Sequence, residues 1–249
     1  MGREKENETG RFAEVYSRVN TGIFNLVSSL ELTEKPLVRK ALGKIIRGIE
    51  IENIPDTLSK ATILVSNYPG IQETLKAVMK VGFKLPDELS LVAIARREIV
   101  TETPPALGGL LYRRVLPADK NEAGRYSLNI KNTARALRHL KEGGVLWLSP
   151  TGSVEANGLR VKNLRHGAVI FAQKANVPIL PMGLITNQDG KVERVKFGEP
   201  ITLPPEDQVS LFDRDVHLDH FSLLVLAEIA KLLPPGQRGD FEDNRVNLL

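Results

Sequence analysis

Apolar residues fall at Phe12, Val15, Tyr16, Val19, Ile23, Leu26, Val27 and Leu30. These steps of three or four place them on one face of a helix, and Arg11, Glu14, Arg18 and Asn20 take the opposite face. A second helical pattern follows at Val38, Ala41, Leu42, Ile45 and Ile49, flanked by Arg39, Lys40, Lys44 and Arg47, with Pro36 placed to start it. The spacing predicts a helical hairpin over residues 1–50. It either packs on the main domain or lies as a basic amphipathic pair at a membrane surface.

After Pro55 the pattern changes to short apolar runs at 63–65, 89–95, 145–148 and 179–185, of the kind that buried parallel strands show. Helical stretches separate them, at 72–81, at 127–141 with Ile130, Ala134, Leu137 and Leu140 facing inward, and at 164–174. Alternation of this kind predicts an α/β fold, a central, mostly parallel sheet flanked by helices over residues 51–233. Residues 192–197 read as a late edge strand ended by Pro200, Pro204 and Pro205. A closing helix over 217–233 and a polar, mobile tail over 234–249 complete the chain. Active sites in such folds lie at the carboxyl ends of strands, which directs attention to the loops 66–73 and 149–158.

Composition narrows the function classes only a little. The 249 residues carry 34 basic and 30 acidic side chains, a formal charge of +4. That balance gives no sign of a nucleic-acid partner. With no Cys, disulfides, thiolate zinc sites and a Cys nucleophile are excluded. The charged start, Met1 to Arg11, precedes no uninterrupted apolar run, and Glu6 stands where a myristoylation signal needs Ser or Thr. A cytoplasmic protein, peripheral on the inner face of a membrane, is the expectation. The chain has no G-x-x-x-x-G-K, G-x-G-x-x-G or G-x-S-x-G motif, which removes the usual support for nucleotide hydrolysis, dinucleotide binding and the serine-hydrolase elbow. His217 and His220 near Asp213, Asp215 and Asp219 imitate a metal cluster. A solvated first helical turn rich in acids explains them as well, and neither metal nor cofactor is expected.

The most informative segment is Ile63-Leu64-Val65-Ser66-Asn67-Tyr68-Pro69-Gly70-Ile71-Gln72-Glu73, a buried strand, a polar turn and a helix start. Here the chain resembles the phospholipid/glycerol acyltransferase family, the group that contains the 1-acylglycerol-3-phosphate acyltransferases, whose first motif is N-H-x-x-x-x-D. Asn67 matches, Tyr68 replaces the His and Glu73 replaces the Asp. Ala95-Arg96-Arg97-Glu98-Ile99, then Pro105 and Gly109-Leu110-Leu111, is similar to A-K-x-E-L followed by Pro and G-x-L-L. Pro150-Thr151-Gly152-Ser153-Val154-Glu155-Ala156-Asn157-Gly158 resembles P-E-G-T-R-S-x-x-G, and Leu164-Arg165-His166-Gly167-Ala168 resembles F-K-x-G-A. Val177-Pro178-Ile179-Leu180-Pro181-Met182 looks like V-P-I-V-P-V. The order and spacing of these blocks, over residues 35–200, carry the likeness.

The resemblance implies transfer of an acyl group from acyl-coenzyme A or acyl carrier protein to a hydroxyl of a glycerophosphate or lysophospholipid. In the family the His is the general base and the Asp orients it. A phenol with an ordinary pKa of about 10 is a poor proton acceptor at neutral pH. Thr151 and Val154 replace the family's Glu and Arg, and Leu116-Pro117-Ala118 stands where it reads I-D-R, leaving Arg113, Arg114 or Lys120 as imperfect substitutes. Loss of a general base costs ~10²- to 10⁴-fold in rate. Two functional readings follow. In one, Glu73 is the base, Tyr68 a hydrogen-bonding partner, and Asn67, Arg96, Arg97, Thr151, Gly152, Ser153, Lys162, Arg165 and His166 bind substrate. In the other, the site binds lipid or acyl chains without turnover. In a third, structural reading, Thr151, Gly152 and Ser153 merely form a turn.

Overall fold

The computed structural model describes residues 46–52, 54–55, 58, 60–82, 84–85, 90–97, 115–120, 126–151, 158–205 and 214–242. The strands are β1 (Glu50–Glu52), β2 (Thr62–Ser66), β3 (Leu91–Arg96), β4 (Val115–Lys120), β5 (Tyr126–Ser127), β6 (Val145–Leu148), β7 (Ile179–Thr186) and β8 (Val192–Phe197). The helices are α1 (Ile71–Gly82), α2 (Ile130–Lys141), α3 (Gly167–Ala175) and α4 (Arg214–Leu232). The chain divides into a larger unit, Ile45–Ile94 with Asn129–Leu249, and a smaller one, Met1–Lys44 with Ala95–Leu128. The helical hairpin expected over 1–50 lies outside the described residues up to position 45. Residues 46–48 form a turn that delivers the chain to β1.

In the larger unit the strands run in the order β1-β8-β7-β2-β6-β3. All pairs are parallel except β7 with β8. The expected α/β fold with a mostly parallel sheet is therefore present. Strand β2 is buried at all five positions because β7 and β6 hold its two edges, with Ile63 opposite Ile179 and Leu64 opposite Trp147. Such a strand must be apolar on both faces, since helices cover each. Pro181 sits inside β7, a position most sheets refuse. Its carbonyl accepts from Gly198 N–H at 2.9 Å, and with no N–H to return, pairing with β8 stops there.

The link β2-α1-β3 steps over β6 and the link β6-α3-β7 steps back over β2. The right-handed rule for such crossovers puts α1 and α3 on opposite faces of the sheet, because the two links run in opposite directions along it. Helix α3 packs with α2 and α4 and on β2 and β7, while α1 reaches β8. Val225, Leu226, Ile229 and Ala230 supply the buried side of α4. Gly183 in β7 admits this helix, because a Cβ there would stand 2.7 Å from Leu232 Cβ.

Three expectations are corrected. Strand β8 is not an edge, because β1 pairs with it in parallel, Ile51 opposite Val195; a three-residue Glu-Ile-Glu strand is too short to announce itself by periodicity. Helix α2 turns Asn132, Ala136 and Leu140 inward and leaves Ile130 91% exposed. Asn129 caps it, its side chain accepting from Asn132 N–H at 2.9 Å, so Ile130 occupies the solvent side of the first turn. The tail after Pro234 is docked as far as Glu242: Gln237 exchanges two hydrogen bonds with the backbone of Thr186, and Asp240 N–H donates to Leu159 O at 2.9 Å.

In the smaller unit β4 and β5 pair antiparallel, with Asp119 opposite Ser127. Among the described residues no helix is long and apolar enough to cross a membrane.

Candidate functional site

Paired parallel strands that send their following helices to opposite faces leave a crevice at their carboxyl ends, the usual ligand position in such sheets. Here those strands are β2 and β6, paired in register with Val65 opposite Leu148. The segments Asn67-Tyr68 and Pro150-Thr151 therefore emerge side by side. Trp147 Nε1 donates to Ser66 Oγ at 3.0 Å across this junction, and Ser66 Oγ donates to Asn67 O at 2.9 Å.

The side chains at this junction are packed inward. Asn67 is 8% and Tyr68 7% exposed, and Thr151 is buried with its hydroxyl 3.3 Å from that of Ser149. The Asn67 amide pairs with the backbone of one residue: Nδ2 donates to Leu184 O at 2.9 Å, and Leu184 N–H donates to Oδ1 at 2.7 Å. Strand β2 ends at Ser66, opposite Met182, so Leu184 has no β2 backbone beside it. The Asn side chain supplies the missing ladder.

Glu73 lies in the first turn of α1, where the helix dipole favours a carboxylate. One oxygen accepts from Val192 N–H at 2.8 Å and the other pairs with Lys76. The carboxylate is thus committed to the start of β8. Gly152 and Ser153 lie outside the described residues. Arg165 N–H donates to Pro150 O at 2.7 Å. Lys162 and the Arg165 side chain are exposed.

The sequence matches no protein-family model and no curated protein.

His166 precedes α3 and turns toward α4. Its Nδ1 is 3.1 Å from Ser222 Oγ and its Nε2 is 3.4 Å from Asp219 Oδ1. The grouping has the residue types of a hydrolytic triad, but Ser222 is 2% exposed. A hydroxyl sealed in a helix interface is a cross-link between α3 and α4 and has no path to substrate. Arg96 and Arg97 belong to the smaller unit, where Arg96 stacks over the Tyr126 ring at 4.6 Å and Arg97 forms a two-pronged pair with Asp119. Among the described residues no group of three metal-ligating side chains forms. Gln173 donates to His217 Nε2 at 3.1 Å, His217 packs edge-on against Phe221, and Asp213 lies outside the described residues.

One element of this region escaped the sequence reading. Asp240 bridges Arg160 Nη1 at 2.7 Å and Val161 N–H at 2.9 Å, beside Gly158, the last residue of the third block. Neither hydropathy nor motif singles out Asp240 from the other acids of the polar tail, Glu242 and Asp243. Burial works to raise its pKa, but the Val161 N–H, the Arg160 guanidinium and the Lys162 ammonium outweigh it and hold the carboxyl below its ordinary 3.8. A carboxyl depressed by folding stabilises fully above its unfolded value and loses that contribution as the pH falls through the folded one. Docking of residues 237–242 is expected to weaken below about pH 4. Hydrogen exchange at pH 3 and pH 6, corrected for intrinsic rates, checks this; equal protection at both would contradict it.

Proposed function

We propose that this chain is an acyltransferase-type protein whose site, at the carboxyl ends of β2 and β6, binds an acyl thioester or an acylated glycerophosphate and transfers the acyl group slowly or not at all. The observation that carries this reading is the commitment of Glu73. With both oxygens engaged by Val192 N–H and Lys76, the one carboxylate of the first motif is not presented to an acceptor hydroxyl, and Tyr68 stands where the family has its base. The ligand classes come from the motif likeness: acyl-coenzyme A or acyl carrier protein as donor, a glycerophospholipid precursor as acceptor. A peripheral position on a membrane, through Lys40, Lys44 and Arg47, belongs to the same proposal.

A working acyltransferase is the second reading, favoured by the tie from Arg165 N–H to Pro150 O, which joins Arg165, a candidate acceptor-binding residue, to the end of β6. One experiment separates the two. Full-length protein is mixed with labelled acyl-coenzyme A and lysophosphatidate in anionic liposomes, and co-sedimentation, acyl binding and diacyl product are read together. Binding with product formation ~10²-fold or more below that of a Tyr68→His, Val154→Arg variant is the expected result. Turnover by the unaltered chain at about 1 s⁻¹ or faster, an ordinary enzymatic rate, would establish the enzyme instead. Absence of both binding and product overturns both readings.

A further inference from the structure

From Gly158 to Arg165 the chain reads Gly-Leu-Arg-Val-Lys-Asn-Leu-Arg, three cations and no acid. Against this run lies one carboxylate, Asp240, brought from the far end of the chain. Its two oxygens take a guanidinium N–H from Arg160 and a backbone N–H from Val161, and the Lys162 ammonium acts on it as well. We propose that Arg160, the Val161 N–H and Lys162 form a binding site for a phosphate monoester, and that Asp240 holds this site as a tethered, exchangeable occupant.

Charge is the first argument. Arg160 and Lys162 bring two positive charges, and Asp240 returns one negative charge. A phosphate monoester carries close to two at neutral pH, with three acceptor oxygens for the same donors. It therefore matches the site better than the resident carboxylate does. Guanidinium and backbone N–H groups converging on neighbouring oxygens are the donors that recognise phosphate and carboxylate alike.

Exchangeability is the second. The Arg160 and Asp240 side chains are 40% and 30% exposed, so a ligand reaches them from solvent, and an ion pair this open is weak. The tail has separate anchors ahead of the joint. Gln237 is fixed to Thr186 by two hydrogen bonds, and Arg238 Nε donates to Leu233 O at 2.9 Å. Gly239, at φ +61°, lies between those anchors and Asp240, so release of the carboxylate by rotation there also breaks the Asp240 N–H bond to Leu159 O while Gln237 stays bound. The tail is thus a competitor at high effective concentration, which lowers the affinity for a free anion by the fraction of time the site is closed.

The inference extends the proposed function, from which the glycerol phosphate probe is taken, but its test contains no acyl compound. Inorganic phosphate and glycerol 3-phosphate are titrated by calorimetry into the full-length chain, into Asp240→Asn and into Asp240→Asn/Arg160→Gln. Asn keeps an acceptor for the Val161 N–H, while it removes the charge and the second oxygen, which accepts from Arg160. If the tail closes the site nine-tenths of the time, Asp240→Asn binds about tenfold tighter than the unaltered chain, and adding Arg160→Gln abolishes the gain. Equal affinities for the chain with and without Asp240 overturn the proposal. So does loss of binding in a folded Asp240→Asn protein, which makes the carboxylate an organiser of the loop. Hydrogen exchange on the unaltered chain needs no variant. Saturating glycerol 3-phosphate is expected to speed exchange at residues 240–242 and to leave Gln237 protected; unchanged exchange at 240–242 also overturns it. Equal binding of the two probes assigns the site to free phosphate, and preference for glycerol 3-phosphate assigns it to a lipid headgroup. Failure of acyl binding in the liposome experiment leaves these results readable.

Discussion

Asn67→Ala is expected to lower the free energy of unfolding by about 2–4 kcal/mol, read from urea denaturation. The mutation removes an amide that is 8% exposed and leaves both the N–H and the C=O of Leu184 without their partner. Each buried polar group so orphaned costs about 1–3 kcal/mol, less what water recovers by entering the space. The methyl of Ala also fails to fill the volume, and the junction of β2 with β7 loosens at the end where Tyr68 follows. Asn67→Asp is the sharper control. It keeps the acceptor for Leu184 N–H but offers no donor to Leu184 O, and it buries a charge beside a carbonyl. Both variants should unfold at lower urea, and a loss under about 0.5 kcal/mol for Ala would mean that the amide is dispensable to the fold. The result bears on function, because an Asn at the first motif position is here explained by backbone pairing alone.

A second large loss is expected for Gly158→Val. Gly158 has φ +82°, and a Cβ on it would stand 2.4 Å from Gly239 N and 2.7 Å from Gly239 Cα. Neither neighbour is the end of a flexible side chain, so the tail backbone must withdraw. The left-handed conformation itself costs a β-branched residue about 1–2 kcal/mol or more. Withdrawal then gives up the hydrogen bond from Asp240 to Leu159 O and the Asp240 bridge to Arg160, and uncovers Leu159, which is fully buried. A total of about 2–4 kcal/mol follows. The distinguishing sign is local: limited proteolysis should cut within 236–242 in the variant well before the sheet unfolds. Cleavage rates equal to those of the unaltered chain would show that the tail accommodates the side chain.

These contacts also show where the sequence is informative. The runs at 63–65, 145–148 and 179–185 mark parallel strands because burial on both faces leaves no polar alternation, and β2, β6 and β7 are found there. The ends of β2 and β6 lie side by side as doubly wound topology requires, so residues 67–68 and 149–151, where the two loops singled out for chemistry begin, leave the sheet next to each other. What the residues do at that junction was not legible. Asn67, Glu73 and His166 are polar residues in motif positions, and nothing local says that their partners are Leu184, Val192 and Ser222, 117, 119 and 56 positions away. Long-range partners of polar groups are fixed by tertiary geometry and leave no period in the sequence. The α2 face was misjudged for a related reason. Counting apolar positions favoured Ile130, whereas the cap at Asn129 and the packing of Ala136 set the rotation.

The three-residue strand β1 closes one side of the larger unit's sheet, and its composition governs how the molecule behaves in a crowd of its own copies. A bare β8 would expose a ladder with Val192, Val195 and Phe197 on its buried face, a template for edge-to-edge polymerisation. Instead β1 presents two carboxylates, with Glu52 pairing Arg194 and Lys196, over a length too short to register a foreign strand. The acidic β1 thus blunts that edge, and Glu52→Val is expected to raise self-association at high concentration, read by light scattering.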